Sequence, residues 1–259
     1  MKPPRRRFLY LAAAAATLPT AFRVAWAQPY PSRPARIVVP FAAGGSTDIV
    51  ARLTGQWLSE RLGQQFVIEN RPGAGSNVGT EVVVNAPPDG YTLLLIGASS
   101  AINATLYDKL SFNFLRDVAP VAGIVSIPFV LMVIPSLPPK TVSEFIAYAR
   151  ANPGRVNIAS GGNGTAGHLS GELFKMMAGV NMVHVPYRGE GVALTDLLGG
   201  HVQAMFGTMA ASIEHVRAGR LRPLAVTSAR RSELLPDLPT GRRVRARVRD
   251  KRLARRRRP

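Results

Sequence analysis

The 259-residue chain contains no cysteine, which excludes disulfides and thiolate metal ligands. It is short of acid: 15 Asp and Glu stand against 33 Lys and Arg, for a formal net charge of +18. Its early apolar run, Leu9 to Ala16, falls well below the about 20 residues that cross a bilayer. No G-x-S-x-G nucleophile elbow is present, so the commonest serine-hydrolase signature is missing. The shortage of acid is uneven. Residues 1–27 hold Lys2, Arg5, Arg6, Arg7 and Arg23 with no acid, and residues 241–259 hold ten arginines and Lys251 against Asp250 alone. The intervening 213 residues carry 17 basic and 14 acidic groups, so the body is nearly neutral and the ends set the charge.

Both ends read as something other than folded protein. Arg5-Arg6-Arg7-Phe8-Leu9 before the apolar run, followed by Ala25-Trp26-Ala27, looks like an export signal of the twin-arginine or general secretory type. Such a signal places the mature chain, from Gln28, in the periplasm. Residues 241–259 show no sustained period of 2 or 3.6 and cannot bury a face, so they are predicted disordered. A basic tail can bind an anionic polymer, but an exported protein seldom meets nucleic acid, and none is expected as a partner.

Between the ends, strands and small-residue turns alternate. Arg36 to Phe41 is a first strand, and Ala42 to Asp48 turns into a helix that Ser46 or Thr47 can cap and that Gly63 ends. That helix is expected to bury Ile49, Leu53, Trp57 and Leu58. Gln65 to Glu69 is a second strand, and Asn70 to Asn77 a glycine-rich turn into a second helix. Tyr91 to Ile96 reads as a covered parallel strand, followed by the turn Gly97 to Ser100. Three such units imply an α/β sheet with a ligand crevice at its strand ends.

The alternation then changes. Val118–Val125 and Phe129–Ile134 read as a strand pair that carries the chain between domains, and Thr141-x-x-Glu144 is a capping box. Strands follow at Val156–Ala159, Asn181–Val185 and Val202–Phe206, with helices between them. Leu221–Thr227 is a strand that returns to the first sheet in this reading.

The richest turn follows Ala159. Gly161, Gly162, Gly164 and Gly167 lie within seven residues and open a helix with Leu169, Leu173 and Met176 or Met177 on one side. Backbone N–H groups converging at a helix N-terminus suit a carboxylate or phosphate. Gly162 to Gly167 also fits G-x-G-x-x-G, with Glu190 placed roughly as the ribose-binding acid of a dinucleotide fold. A hydrolase pairing Ser160 with His168, oriented by Asp48 or Asp196, is a further reading.

Val39-Pro40-Phe41 with Gly44, Gly45 and Asp48; Asn70-Arg71-Pro72-Gly73-Ala74-Gly75; Pro88 to Leu93; Ala159 to His168; Val183 to Tyr187; and Leu224 to Thr240 occur in consistent order over residues 30–240. On these motifs the chain resembles the extracytoplasmic solute receptors of tripartite tricarboxylate transport systems, the Bug or TctC family. The resemblance implies a type II periplasmic-binding fold, α/β in class, with two domains closing on a small carboxylate. It implies no catalysis, no metal and no cofactor, and a single chain that works with the membrane components of a transporter. The corresponding domain bounds are 28–120, 121–220 and a return over 221–240. Carried over, the ligand-binding residues are Phe41, Ala43, Gly44, Ser46 and Asp48 in the first turn and Gly75, Ser76 and Asn77 in the second. Ser99, the facing-wall residues Ser160, Gly161, Asn163, Gly164, Thr165 and His168, and Tyr187 complete the set.

Two departures from the family pattern matter. Phe206-Gly207-Thr208 stands where relatives commonly read Phe-Asp-Asn, so a carboxylate expected in the cleft is absent at that position. After Thr240 the pattern gives way to arginine, as a frameshift would produce, and the chain as written is expected to be unstable.

Overall fold

The computed structural model describes residues 29–241. The export-signal and arginine-tail readings lie outside the described residues. The fold set out below is that of the compact unit beginning at Arg33.

Strands β1 (Ala35–Val39), β2 (Phe66–Asn70) and β3 (Thr92–Leu94) form a parallel sheet in the order β2-β1-β3. Helix α1 (Ser46–Leu62) joins β1 to β2, and a short 3-10 turn at Ala74–Ser76 leads into helix α2 (Asn77–Val84) before β3. Gly63 ends α1 in a left-handed conformation, as the sequence predicts. The start of α1 differs: Gly45 is its N-cap and no side chain caps it. Its buried face also differs. Leu53 and Trp57 are 64% and 53% exposed, while Ala51 and Gly55 are buried. The small residues let the helix backbone approach β2 closely, so the large side chains face outward.

Helices α3 (Ser99–Leu106) and α4 (Phe114–Asp117) follow β3. The expected strand at Val118–Val125 does not form; that stretch is irregular, with Val121 84% exposed and no neighbouring strand to pair its backbone. Strands β4 (Phe129–Val133), β5 (Asn157–Ser160), β6 (Val183–Pro186), β7 (Ala204–Thr208) and β8 (Arg222–Val226) make the second sheet in the order β6-β5-β7-β4-β8. β5 runs parallel to β6 and β7, and β4 runs antiparallel to β7 and β8. The segment predicted to return to the first sheet is thus β8 of the second. It pairs Val130 with Val226 and carries Pro223 at a register shift on the sheet edge, where a missing N–H is tolerated.

Helices α5 (Val142–Ala151), α6 (Ala166–Ala178), α7 (Glu190–Leu198) and α8 (Met209–Arg217) cover this sheet. Alternate residues of β4 enter different cores. Leu131 and Val133 pack with Phe145, Ile158, Phe174 and Phe206, whereas Val130 and Met132 pack with Leu194, Leu197 and Met205. Thr141 caps α5 through its hydroxyl, which accepts from Glu144 N–H, while the Glu144 carboxylate accepts from Lys140 N–H. In α6 the predicted face is corrected: Leu169 and Leu173 are exposed and the helix buries Gly167, Gly171, Phe174 and Ala178. Among the described residues no helix is long and apolar enough to cross a membrane.

Candidate functional site

The β1–α1 turn is organised by Asp48. Its carboxylate accepts from Gly44 N–H at 3.0 Å, from Arg52 Nε at 2.9 Å and from Asn70 Nδ2 at 2.9 Å. Burial pushes its pKa up, but the hydrogen bonds from Arg52, Gly44 and Asn70, together with the Arg52 charge, leave it below the ordinary carboxylate value. Asn70 also donates to the Phe41 carbonyl, so the turn holds Phe41 at the cleft. Asp48 therefore shapes the wall and stays charged while doing so.

The β2–α2 turn is strained. Ala74 and Ser76 adopt φ of 45° and 96°, values L-residues rarely take. Ser76 is 1% exposed and its hydroxyl has no partner. Asn103, on α3 and fully buried, donates to the Gly75 carbonyl at 2.8 Å and to Asn77 Oδ1 at 2.9 Å. This turn meets the glycine-rich turn after β5. At Gly75, with φ 62°, a Cβ would lie 2.0 Å from the Asn163 carbonyl oxygen, so only glycine lets the two walls approach this closely.

The turn after β5 is built as predicted in outline and differently in detail. Thr165 caps α6, accepting from His168 N–H and donating to the Gly162 carbonyl at 2.7 Å. Ser160 is buried and pairs with His184 Nε2 at 2.7 Å, not with His168. His168 accepts from Gly164 N–H through Nδ1 and stacks on His184 with ring centroids 4.2 Å apart. Burial, with the neighbouring His168, lowers the His184 pKa to about 4. Asp48 is committed to Arg52, and Asp196 accepts from the Tyr187 hydroxyl at 2.6 Å. The hydrolase reading is thereby corrected: the nucleophile is buried, the base is a different histidine, and neither named acid orients it. His168, Glu172 and His184 lie close enough to suggest a metal. However, His168 Nδ1 accepts a backbone N–H, so its neutral ring carries the proton on Nε2 and offers no lone pair there.

Two adjoining cavities occupy the cleft. One, of about 70 Å³, is lined by Phe41, Ser46, Asp48, Ser99, Gly161, Thr165, Glu190 and Phe206, among others. The second, of about 180 Å³, is lined by Gly75, Ser76, Tyr107, Gly161, Asn163, Tyr187 and Arg188, among others. Phe41 and Gly161 border both. Ala43, Gly44, Asn77, Ser160, Gly164 and His168 stand behind or beside these walls and are not among their lining residues. Glu190 crosses the cleft. Its carboxylate accepts from Ser46 N–H at 3.2 Å, from Thr208 Oγ1 at 2.8 Å and from Thr208 N–H. The dinucleotide reading fails here, because the other wall covers the glycine turn and Glu190 is engaged across the cleft. Asn103, Tyr107 and Arg188 are site residues that the sequence reading does not name, and Glu190 is named there only as a ribose-binding acid. Asn103 gives no local signal, since its role depends on which turn its helix lies beside.

Residues 50–250 match the family described as the tripartite tricarboxylate transporter family receptor, TctC. The chain belongs to this family. BugT of Bordetella pertussis is 41% identical over 216 residues, which cover 83% of this chain and 66% of BugT, so the chain spans just under two thirds of that relative. Among solved structures, R. palustris Rpa4515 with adipate superposes with a TM-score of 0.79 at 42% identity, over 82% of this chain and 71% of that one. MatC from Rhodopseudomonas palustris with bound malate superposes with a TM-score of 0.78 at 34% identity, over 83% and 73%. The periplasmic binding protein BugD superposes with a TM-score of 0.81 at 36% identity, over 83% of this chain and 72% of that one, and the fold is that of the periplasmic binding proteins, as the sequence motifs imply.

Proposed function

We propose that this protein is a periplasmic receptor that captures a small carboxylate and hands it to the membrane components of a tripartite transporter. The strained Gly73–Ser76 turn, which lines the larger cavity and opens α2, carries this reading. The turn opens a helix, whose N-terminal N–H groups favour an anion. Adipate and malate, named with two relatives of the same fold, are carboxylates of suitable size.

The ligand-binding residues in this reading are Phe41, Ser46, Gly75, Ser76, Ser99, Gly161, Asn163, Thr165 and Tyr187, with Asp48 and Asn103 positioning them. The protein acts as a single chain, without catalysis, and reaches the periplasm through its N-terminal signal. Two domains close about a hinge at residues 118–128, the irregular stretch that joins the sheets. A thermal-shift screen of organic acids tests the function: adipate, malate or a related acid should raise the melting temperature in proportion to RT ln(1 + [L]/Kd). Stabilisation by neutral sugars and by no acid would refute it.

A further inference from the structure

The smaller cavity carries a carboxylate that no Lys or Arg side chain pairs among the described residues. Glu190 lies at the first position of α7, and its carboxylate accepts three hydrogen bonds from neutral donors, Ser46 N–H, Thr208 N–H and Thr208 Oγ1. Among the described residues it makes no ion pair, and no Lys or Arg lines this cavity. Asp48, the other acid on this wall, is already paired with Arg52 at 2.9 Å. A carboxylate offers about four acceptor directions, so one remains for a ligand. The larger cavity has the opposite character. Arg188 borders it, together with the Gly73–Ser76 turn that opens α2.

We infer that Glu190 sets the ligand class: the receptor selects a carboxylate whose far end carries a cationic nitrogen, over a dicarboxylate of the same length. The ligand carboxylate enters the Ser76 and Arg188 side, and its ammonium enters the Glu190 side. A partly buried carboxylate without a counter-charge gains most from a cation, while a second carboxylate beside it meets like charge in a desolvated cleft. This inference rests on the carboxylate-receptor reading and narrows it.

Titration calorimetry of the full chain with matched series provides the test: 6-aminohexanoate, hexanoate and adipate at one length; 4-aminobutanoate, butanoate and succinate at the other. At the length that fits, the amino acid should bind at least about tenfold more tightly than its dicarboxylate, with the simple acid between them. Glu190→Gln should collapse that ratio, and Glu190→Asp, which withdraws the carboxylate by one methylene, should reduce it. If Glu190→Gln does not fold, the wild-type ranking and Glu190→Asp decide. Equal or tighter binding of the dicarboxylate, or a ratio unchanged in the variants, overturns the role of Glu190 and leaves the receptor reading standing. If no carboxylate binds the folded chain, the receptor reading itself fails and this inference with it.

Discussion

In the five-stranded sheet, alternate residues of β4 point into two separate apolar clusters, one under α5 and α6 and one under α7 and α8. The three-stranded sheet has one cluster of five buried residues: Ala35, Ile37, Val39, Ala51 and Phe66. On its helix α1 and edge strand β2, Leu53, Trp57, Leu62 and Val67 are all more than 40% exposed. Burial of apolar area contributes about 25 cal/mol per Å², so the two sheets draw very different support from similar sequence patterns. The ligand-facing turns are shared between them. The better-packed sheet supplies the glycine-rich wall, and the sparser one supplies the strained Ser76 turn.

The largest effect should come from the heavily packed sheet. Phe145 is fully buried against Phe174, and Phe145→Ala should cost about 3–5 kcal/mol, read as a fall in the main far-UV circular dichroism transition. Trp57 reports the other sheet once Trp26 is replaced by Phe. Its fluorescence should change at lower denaturant than the dichroism does, and Phe145→Ala should shift it less. Coincident transitions by both probes, in wild type and variant alike, would show one cooperative unit and erase the contrast.

Acid should also act through the five-stranded sheet first. His184 is held neutral, with its pKa down at about 4, so the unfolded chain binds the extra proton below the ordinary histidine value of about 6.5. Its contribution is fully present at pH 7 and is lost as the pH falls from about 6.5 to 4. His184→Gln should flatten that part of the stability–pH curve. In the three-stranded sheet, Asp48 has a depressed pKa, so its contribution persists to lower pH and fades only as the pH drops below the unfolded carboxylate range. A Asp48→Asn variant that shows its pH difference above pH 6 would contradict this order.

At the seam, Gly75→Ala should weaken ligand binding at least about tenfold, since the added methyl would meet the Asn163 carbonyl and hold the walls apart. Its melting temperature should fall only modestly, and unchanged affinity would mean that the closed arrangement is not the binding one. The smallest effect belongs to the exposed face of α1, where Leu53→Ser should change stability by no more than about 0.5 kcal/mol. A loss several times larger would reveal that this face is covered in solution.

Much of this organisation is legible in the chain. The strand positions of β1, β2, β3 and β7, the left-handed end of α1 at Gly63, the Thr141 cap and the glycine-rich turn after β5 all follow from local composition. The errors have a common cause. Residues 118–125 are apolar yet pair with no strand, and β8 joins the edge of β4, because strand pairing depends on which edge is free and not on the segment alone. Large residues at helical spacing on α1 and α6 face outward, because glycine and alanine on the opposite side allow closer packing.

The site divides along the same line. The sequence by itself determined where glycine and small polar residues would leave backbone donors free, and so which turns would make the walls: that chemistry is local to a few consecutive residues. Only the tertiary structure decided that Ser160 meets His184, that Asn103 ties the Ser76 turn together, and that Glu190 reaches across to Ser46 and Thr208. These partners are separated by up to 144 positions, and their meeting depends on how strands and turns are brought together in space, within each sheet and, for Glu190 and Ser46, between them. A hydrogen bond acts over about 3 Å of space whatever the distance along the chain, so no local pattern encodes it.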